Sequence, residues 1–210
     1  MIQHFDLDQA SLLVQQDTNP SYLYTKKELK IIYNWFMDNR EMNLEMFSDM
    51  VNELAGKNVW VNEFTPQSLI KLAEILYPLI IGEFISDEEY QEKLNKVNPI
   101  MKDYIYHFNL TYKEKILGFL GSVYLGEVLI RSYPKANLQW EICKLPKSYV
   151  FSGYMVVPIT QTIYACTLLT FYAFIHGCLR HRYLNEPQDN NYLFDYFFGI
   201  TRPLRHKNQK

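Results

Sequence analysis

The chain has little of what announces a particular chemistry. Its three cysteines, Cys143, Cys166 and Cys178, form no C-x-x-C pair and sit in apolar stretches. An odd, scattered set of this kind reads as a reduced, cytoplasmic chain and not as a disulfide framework. No glycine-rich loop follows a strand pattern, so nucleotide binding of the P-loop or Rossmann kind has no support, and no cofactor is expected. Neither charge dominates. With 21 Lys+Arg against 23 Asp+Glu, a dedicated nucleic-acid binder is not expected, because such proteins draw their affinity from neutralising phosphates.

Long hydrophobic runs are also missing. Residues 1 to 24 carry Asp6, Asp8, Gln15, Gln16 and Asp17, and lack the basic and apolar regions of a secretory signal. One stretch invites comparison with a membrane span, because residues 148 to 179 hold no formal charge and residues 163 to 179 are largely apolar. Pro158, Gln161, Thr162, Thr167, Thr170, His176 and Gly177 dilute it, and its first part reads as a strand. A buried central helix over residues 160 to 183 is the reading adopted, with a membrane-associated protein as the remaining alternative.

What is present is apolar and aromatic: 48% and 16% of 210 residues, enough for one globular domain with a sizeable core. Helix starts are marked by hydroxyl residues with an acid three positions on, at Thr25 and Glu28, Ser86 and Glu89, and Thr111 and Glu114. Thr65 precedes Pro66, which suits the first helical position. After Thr25 the apolar pattern predicts two helices, or one bent near residues 39 to 43. After Pro66 it predicts a mostly buried helix ended or kinked by Pro78. A short helix with Met101, Tyr104, Ile105 and Phe108 is expected next. Residues 138 to 143 alternate, and residues 149 to 157 are rich in aromatic and β-branched side chains, so both read as strands of a small antiparallel ribbon. Residues 58 to 61 are the candidate third strand. Residues 1 to 24 read as an N-terminal segment, and residues 200 to 210, with four basic residues, as a flexible tail.

The expected fold is therefore α+β: a single mostly helical domain over residues 1 to 210, with a small antiparallel β-ribbon packed on a central apolar helix.

Candidate site residues are few. Gly118, Ser122 and Gly126 recur every four residues after Thr111 and leave one helix face almost without bulk, for close packing or for a ligand groove. Glu127 follows, four residues before Arg131, either as half of an i, i+4 pair or as a buried general acid or base. Tyr124 and Trp140 complete the neighbourhood of a possible pocket. His176, Cys178 and His181 include good zinc-ligand types, but positions 176 and 178 stand about 200° apart on a helix, so no metal site is expected.

Charge is divided along the chain. Residues 1 to 103 hold 17 acidic and 9 basic side chains, residues 104 to 210 hold 6 and 12, for nets of −8 and +6. The acidic half either packs on the basic half or presents a face, with Asp38, Glu41, Glu45 and Asp49, to a partner with a basic surface.

The run Leu117-Gly118-Phe119-Leu120-Gly121-Ser122-Val123-Tyr124-Leu125-Gly126-Glu127-Val128, with Trp140 opening a strand and Val157-Pro158-Ile159 closing the next, resembles a pattern of uncharacterised bacterial proteins. Those carry a Gly-x-Tyr-x-Gly-Glu-Val/Ile helix, a Trp strand and an Asn-Pro entry to a following helix. This chain has Ser122, Val157 in place of Asn, and a longer spacing to Trp140. The resemblance covers roughly residues 64 to 182. It implies a small α+β module, sometimes of the immunity type that neutralises a toxin, and transfers no catalytic residue. The resulting expectation is a non-catalytic cytoplasmic protein that binds another protein. An enzyme or small-ligand binder with a pocket near Glu127 is the alternative.

Overall fold

A computed structural model describes residues 23 to 96, 105 to 149 and 152 to 207. The first helix, α1 (Lys26–Ala55), starts on a complete capping box: Thr25 Oγ1 accepts from the Glu28 amide, and Glu28 Oε2 accepts from the Thr25 amide at 2.7 Å. It ends at Gly56, whose φ of 65° suits a residue without a side chain. Of the two expectations, two helices or one bent near residues 39 to 43, a single continuous helix forms. Residues 26 to 55 contain neither proline nor glycine, and Ile32, Phe36, Leu44, Phe47, Met50 and Val51 remain in phase on one buried stripe. The run of Asn39 and Asn43 does not interrupt it, because Asn39 Nδ2 bonds back to the Trp35 carbonyl and Asn43 is buried.

Helix α2 (Pro66–Leu76) is capped by Thr65 and passes into a 3-10 turn, Tyr77–Leu79, at Pro78, where the proline ring ends the α-helical ladder. A minimal ladder joins β1 (Glu83–Phe84) to β2 (Phe108–Asn109), with α3 (Asp87–Lys96) between them in sequence. Phe108 thus lies in a strand and not in the expected short helix, whose positions 101 to 104 fall outside the described residues.

Helix α4 (Tyr112–Ser132) is the centre of the molecule: every residue from Ile116 to Leu129 is buried. Its most extensive neighbour is α5 (Thr167–Tyr183), and α1 crosses it on another side. The two apolar helices can approach because α4 carries glycines where rings of α5 lie. A Cβ at Gly118 would stand 2.5 Å from Tyr172 Cε1, and one at Gly121 would clash with the Phe171 ring. The expected centre, residues 160 to 183, is shorter as a helix because residues 158 to 165 turn back as a hairpin, with Ile159 and Thr160 amides both donating to the Ile163 carbonyl. Among the described residues no helix is long and apolar enough to cross a membrane.

The ribbon is a three-stranded antiparallel sheet, β3 (Glu141–Ile142), β4 (Met155–Pro158) and β5 (Tyr164–Ala165), in that order. The expected third strand, residues 58 to 61, does not join it. Asn52 Oδ1 accepts from the Val59 and Trp60 amides and Asn52 Nδ2 donates to the Trp60 carbonyl, so α1 takes those backbone groups itself. After α6 (Tyr192–Ile200), residues 201 to 207 of the expected tail are ordered, and residues 208 to 210 lie outside the described residues. The described part forms α7 (Arg202–Lys207) and seats Leu204 in the core, while Arg205 donates to Thr201 Oγ1 and the Phe198 carbonyl. The α+β, mostly helical architecture is as expected from sequence.

Candidate functional site

Glu127 projects from the buried stretch of α4 and is 3% exposed. A carboxylate so placed must be paired and hydrogen-bonded. Trp140 Nε1 donates to its Oε1 at 2.9 Å, and Arg131 Nε donates to its Oε2 at 3.1 Å. Arg40 Nε of α1 lies 3.4 Å from Oε1, an ion pair by distance that lacks the alignment of a hydrogen bond. Arg131 and Arg40 both also reach Glu41, and the Arg131 guanidinium lies over the Phe64 ring. Trp140 is fixed in turn: its indole fills the space a side chain at Gly126 would need, packs edge-on to Phe36, and its carbonyl accepts from Tyr33 Oη at 3.0 Å. The glutamate therefore joins α4, α1 and the strand entry.

The other sequence-selected residues separate from it. Tyr124 faces an aromatic cluster of Phe47, Trp60 and Phe64. Its hydroxyl pairs with Ser68 Oγ, which itself donates to the Thr65 carbonyl, so Tyr124 is the donor in that pair. Burial pushes the Tyr124 phenol up to about 12, which keeps it neutral. Ser122 Oγ is spent on the Phe119 carbonyl. Gly118 and Gly126 are both close-packing positions, against different neighbours, and Gly121 belongs with them although its spacing did not mark it. Glu114, named only as half of a capping box, does more. Its Oε1 accepts from the Ile81 and Gly82 amides at 2.8 Å each, tying the end of α2 to the start of α4.

The thiols are buried, and burial raises all three, Cys166 and Cys178 to about 12, so none is a ready nucleophile. Among the described residues no three His, Cys, Asp or Glu side chains gather to hold a metal ion. His181 Nδ1 pairs with Glu186 at 3.4 Å, whereas His176 lies against the rings of Tyr106 and Phe108. Burial lowers the His176 pKa, and the charge of Glu114 opposes this more weakly. The unfolded chain, with a histidine pKa of about 6.5, then binds the proton more tightly than the folded one. Stability contributed by neutral His176 is present above about pH 6.5 and is lost as pH falls toward the folded pKa. His176→Phe should flatten that part of the stability profile when urea midpoints are compared between about pH 7.5 and about pH 5.5; an unaltered difference across that window would assign the slope to other groups.

The four acids singled out on α1, Asp38, Glu41, Glu45 and Asp49, are all exposed. Glu41 is engaged by Arg40 and Arg131, while Asp38, Glu45 and Asp49 have no ion-pair partner among the described residues.

One feature was not legible from sequence. Between the first turns of α1 and residues 139 to 147 lies a groove of about 1060 Å³. Trp140 and Tyr33 form part of its wall, and Lys26, Lys30, Lys144 and Lys147 stand around it, with Glu141 as the lining carboxylate. Glu127 and Tyr124 do not line it. Two segments more than a hundred positions apart contribute the lysines, so no local spacing could reveal them. A smaller groove, about 320 Å³, lies between the β5 hairpin and α6 and includes Tyr164 and Tyr196. No protein-family model, curated protein or solved structure matches this chain.

Proposed function

We propose that this chain is a non-catalytic protein that binds another protein, of the immunity type that the resemblance implies, and that the exposed acidic face of α1 meets a basic surface. The observation that carries the reading is the state of Glu127. Both of its oxygens are spent on Trp140 and Arg131, with Trp140 packed over Gly126. A general acid or base needs a lone pair or proton within reach of a substrate, and here they are consumed by architecture. On α1, by contrast, Asp38, Glu45 and Asp49 leave their charge to solvent, where it steers association with a positive surface.

The experiment compares the wild-type chain with an Asp38→Lys, Glu45→Lys, Asp49→Lys variant as baits in extracts of the native cell at low and high salt. Surface changes of this kind alter folding stability little, about 0.5 kcal/mol each at most, so equal melting is expected. The wild type should retain a basic protein that the variant loses and that salt releases. Retention of the same proteins by both baits would remove the acidic face from the proposal.

A further inference from the structure

We infer that the lysine-rimmed groove is a docking site for an extended acidic segment of a partner protein, which adds as a strand to the open edge of β3. The inference does not rest on the acidic face of α1. Its first support is the hydrogen-bond phase of the sheet. β3 is the outer member of the order β3, β4, β5. The Cys143 amide donates to the Tyr154 carbonyl at 2.8 Å, and the register pairs Ile142 with Met155. In an antiparallel ladder alternate residues bond to the neighbour, so the Ile142 N–H and C=O point away from β4. No described side chain or backbone group meets them. The Trp140 carbonyl, on the same edge, is already taken by Tyr33 Oη, which closes one end of the edge and leaves the Ile142 groups available. Open edges of this kind pair with added strands.

Charge selects which strand. Lys26 and Lys30 come from α1, Lys144 and Lys147 from the segment that follows β3, and Glu141 is the opposing lining charge. Lys26, Lys30 and Lys144 are exposed and have no ion-pair partner among the described residues. Lysines at an edge discourage pairing with neutral or basic strands, and an acidic strand removes that penalty. The volume, about 1060 Å³, is at the upper end of ordinary ligand sites and accommodates a short stretch of chain instead of a small metabolite alone. The ring of Tyr33 offers apolar wall to the side chains that alternate with the acids.

The test titrates the full chain into a fluorescein-labelled octapeptide of alternating Val and Glu, followed by anisotropy. Companion probes are a Val/Lys octapeptide, two Val/Glu versions N-methylated at the odd or at the even residues, and an oligothymidylate of equal charge. Expected are saturable binding of the Val/Glu peptide, weakening of about tenfold in a Lys30→Glu, Lys144→Glu variant, and a similar loss for at least one N-methylated version, since a strand uses alternate amides. The bound state should also slow hydrogen exchange at the Ile142 amide by about tenfold or more. Absence of binding by the Val/Glu peptide, equal binding of the Val/Lys peptide, or full affinity of both N-methylated versions would overturn the inference. Tighter binding of the oligothymidylate would assign the lysines to a nucleic acid and overturn it as well.

Discussion

Gly121→Leu should disrupt the packing of α4 on α5 and lower the melting temperature sharply. A Cβ at this position clashes with the ring of Phe171, which is 0% exposed and packed between Phe47 and Phe174. The ring has nowhere to rotate in an interior packed like a crystal, so the helices must separate. Overpacking typically costs about 1–3 kcal/mol, and a clash with a locked ring belongs at or above the top of that range. For a chain of this size about 3 kcal/mol corresponds to a drop of roughly 6–12 °C in Tm. Gly177 is the internal control. It lies in α5, nothing stands within 4 Å of a Cβ built there, and its φ is ordinary. Gly177→Ala should therefore raise Tm slightly, because glycine in a helix interior is worse than alanine by about 0.5–1 kcal/mol. Calorimetry of the pair distinguishes steric exclusion from helix propensity: equal melting of Gly121→Leu and wild type would mean that the α4 and α5 interface is looser than its geometry.

The same two helices show what a sequence can and cannot say. The starts at Thr25, Thr65 and Thr111 were readable because a cap is settled within four residues, and all three form the expected bonds. The small-residue face of α4 was readable as a demand for close packing, but not its occupants. Tyr172 and Phe171 come from a helix some fifty positions later, and Trp140 from the strand entry. Where two local signals competed, the outcome depended on distant partners. Asn58 to Val61 has strand-like residues, yet the Asn52 side chain claims its backbone and β5 takes the place beside β4. The basic tail from residue 200 was expected to be flexible, whereas Leu204 and Thr201 anchor its described part, up to residue 207, to α6. For the candidate site, the i, i+4 link of Glu127 to Arg131 was legible from spacing alone. The hydrogen bond from Trp140 and the ion pair with Arg40 were not, because they require the strand entry and α1 to converge on α4.

Those converging partners make Glu127 the second position of large effect. In Glu127→Leu the indole N–H of Trp140 loses its acceptor, and Arg131 and Arg40 lose their shared counter-charge. Breaking a buried pair by removing one partner costs about 3–5 kcal/mol when the remaining charge is trapped. Here Arg131 and Arg40 are 40% and 29% exposed, so water screens part of that loss, and about 2–4 kcal/mol is the expected cost. Glu127→Gln retains an acceptor for Trp140 and gives up only the charge, so it should cost about half as much. A double-mutant cycle with Trp140→Phe, read from urea midpoints, should return a coupling of about 1–3 kcal/mol, since the two side chains share one bond and one packing site at Gly126. A structural glutamate predicts this graded order, Leu worse than Gln, with binding to a partner through Asp38, Glu45 and Asp49 preserved in Gln. A catalytic one predicts a different pattern: Gln and Leu equally dead in a turnover assay, with Gln melting like the wild type. The first pattern follows from a carboxylate whose oxygens are already engaged by Trp140 and Arg131, and the appearance of the second would require that these bonds open when substrate arrives.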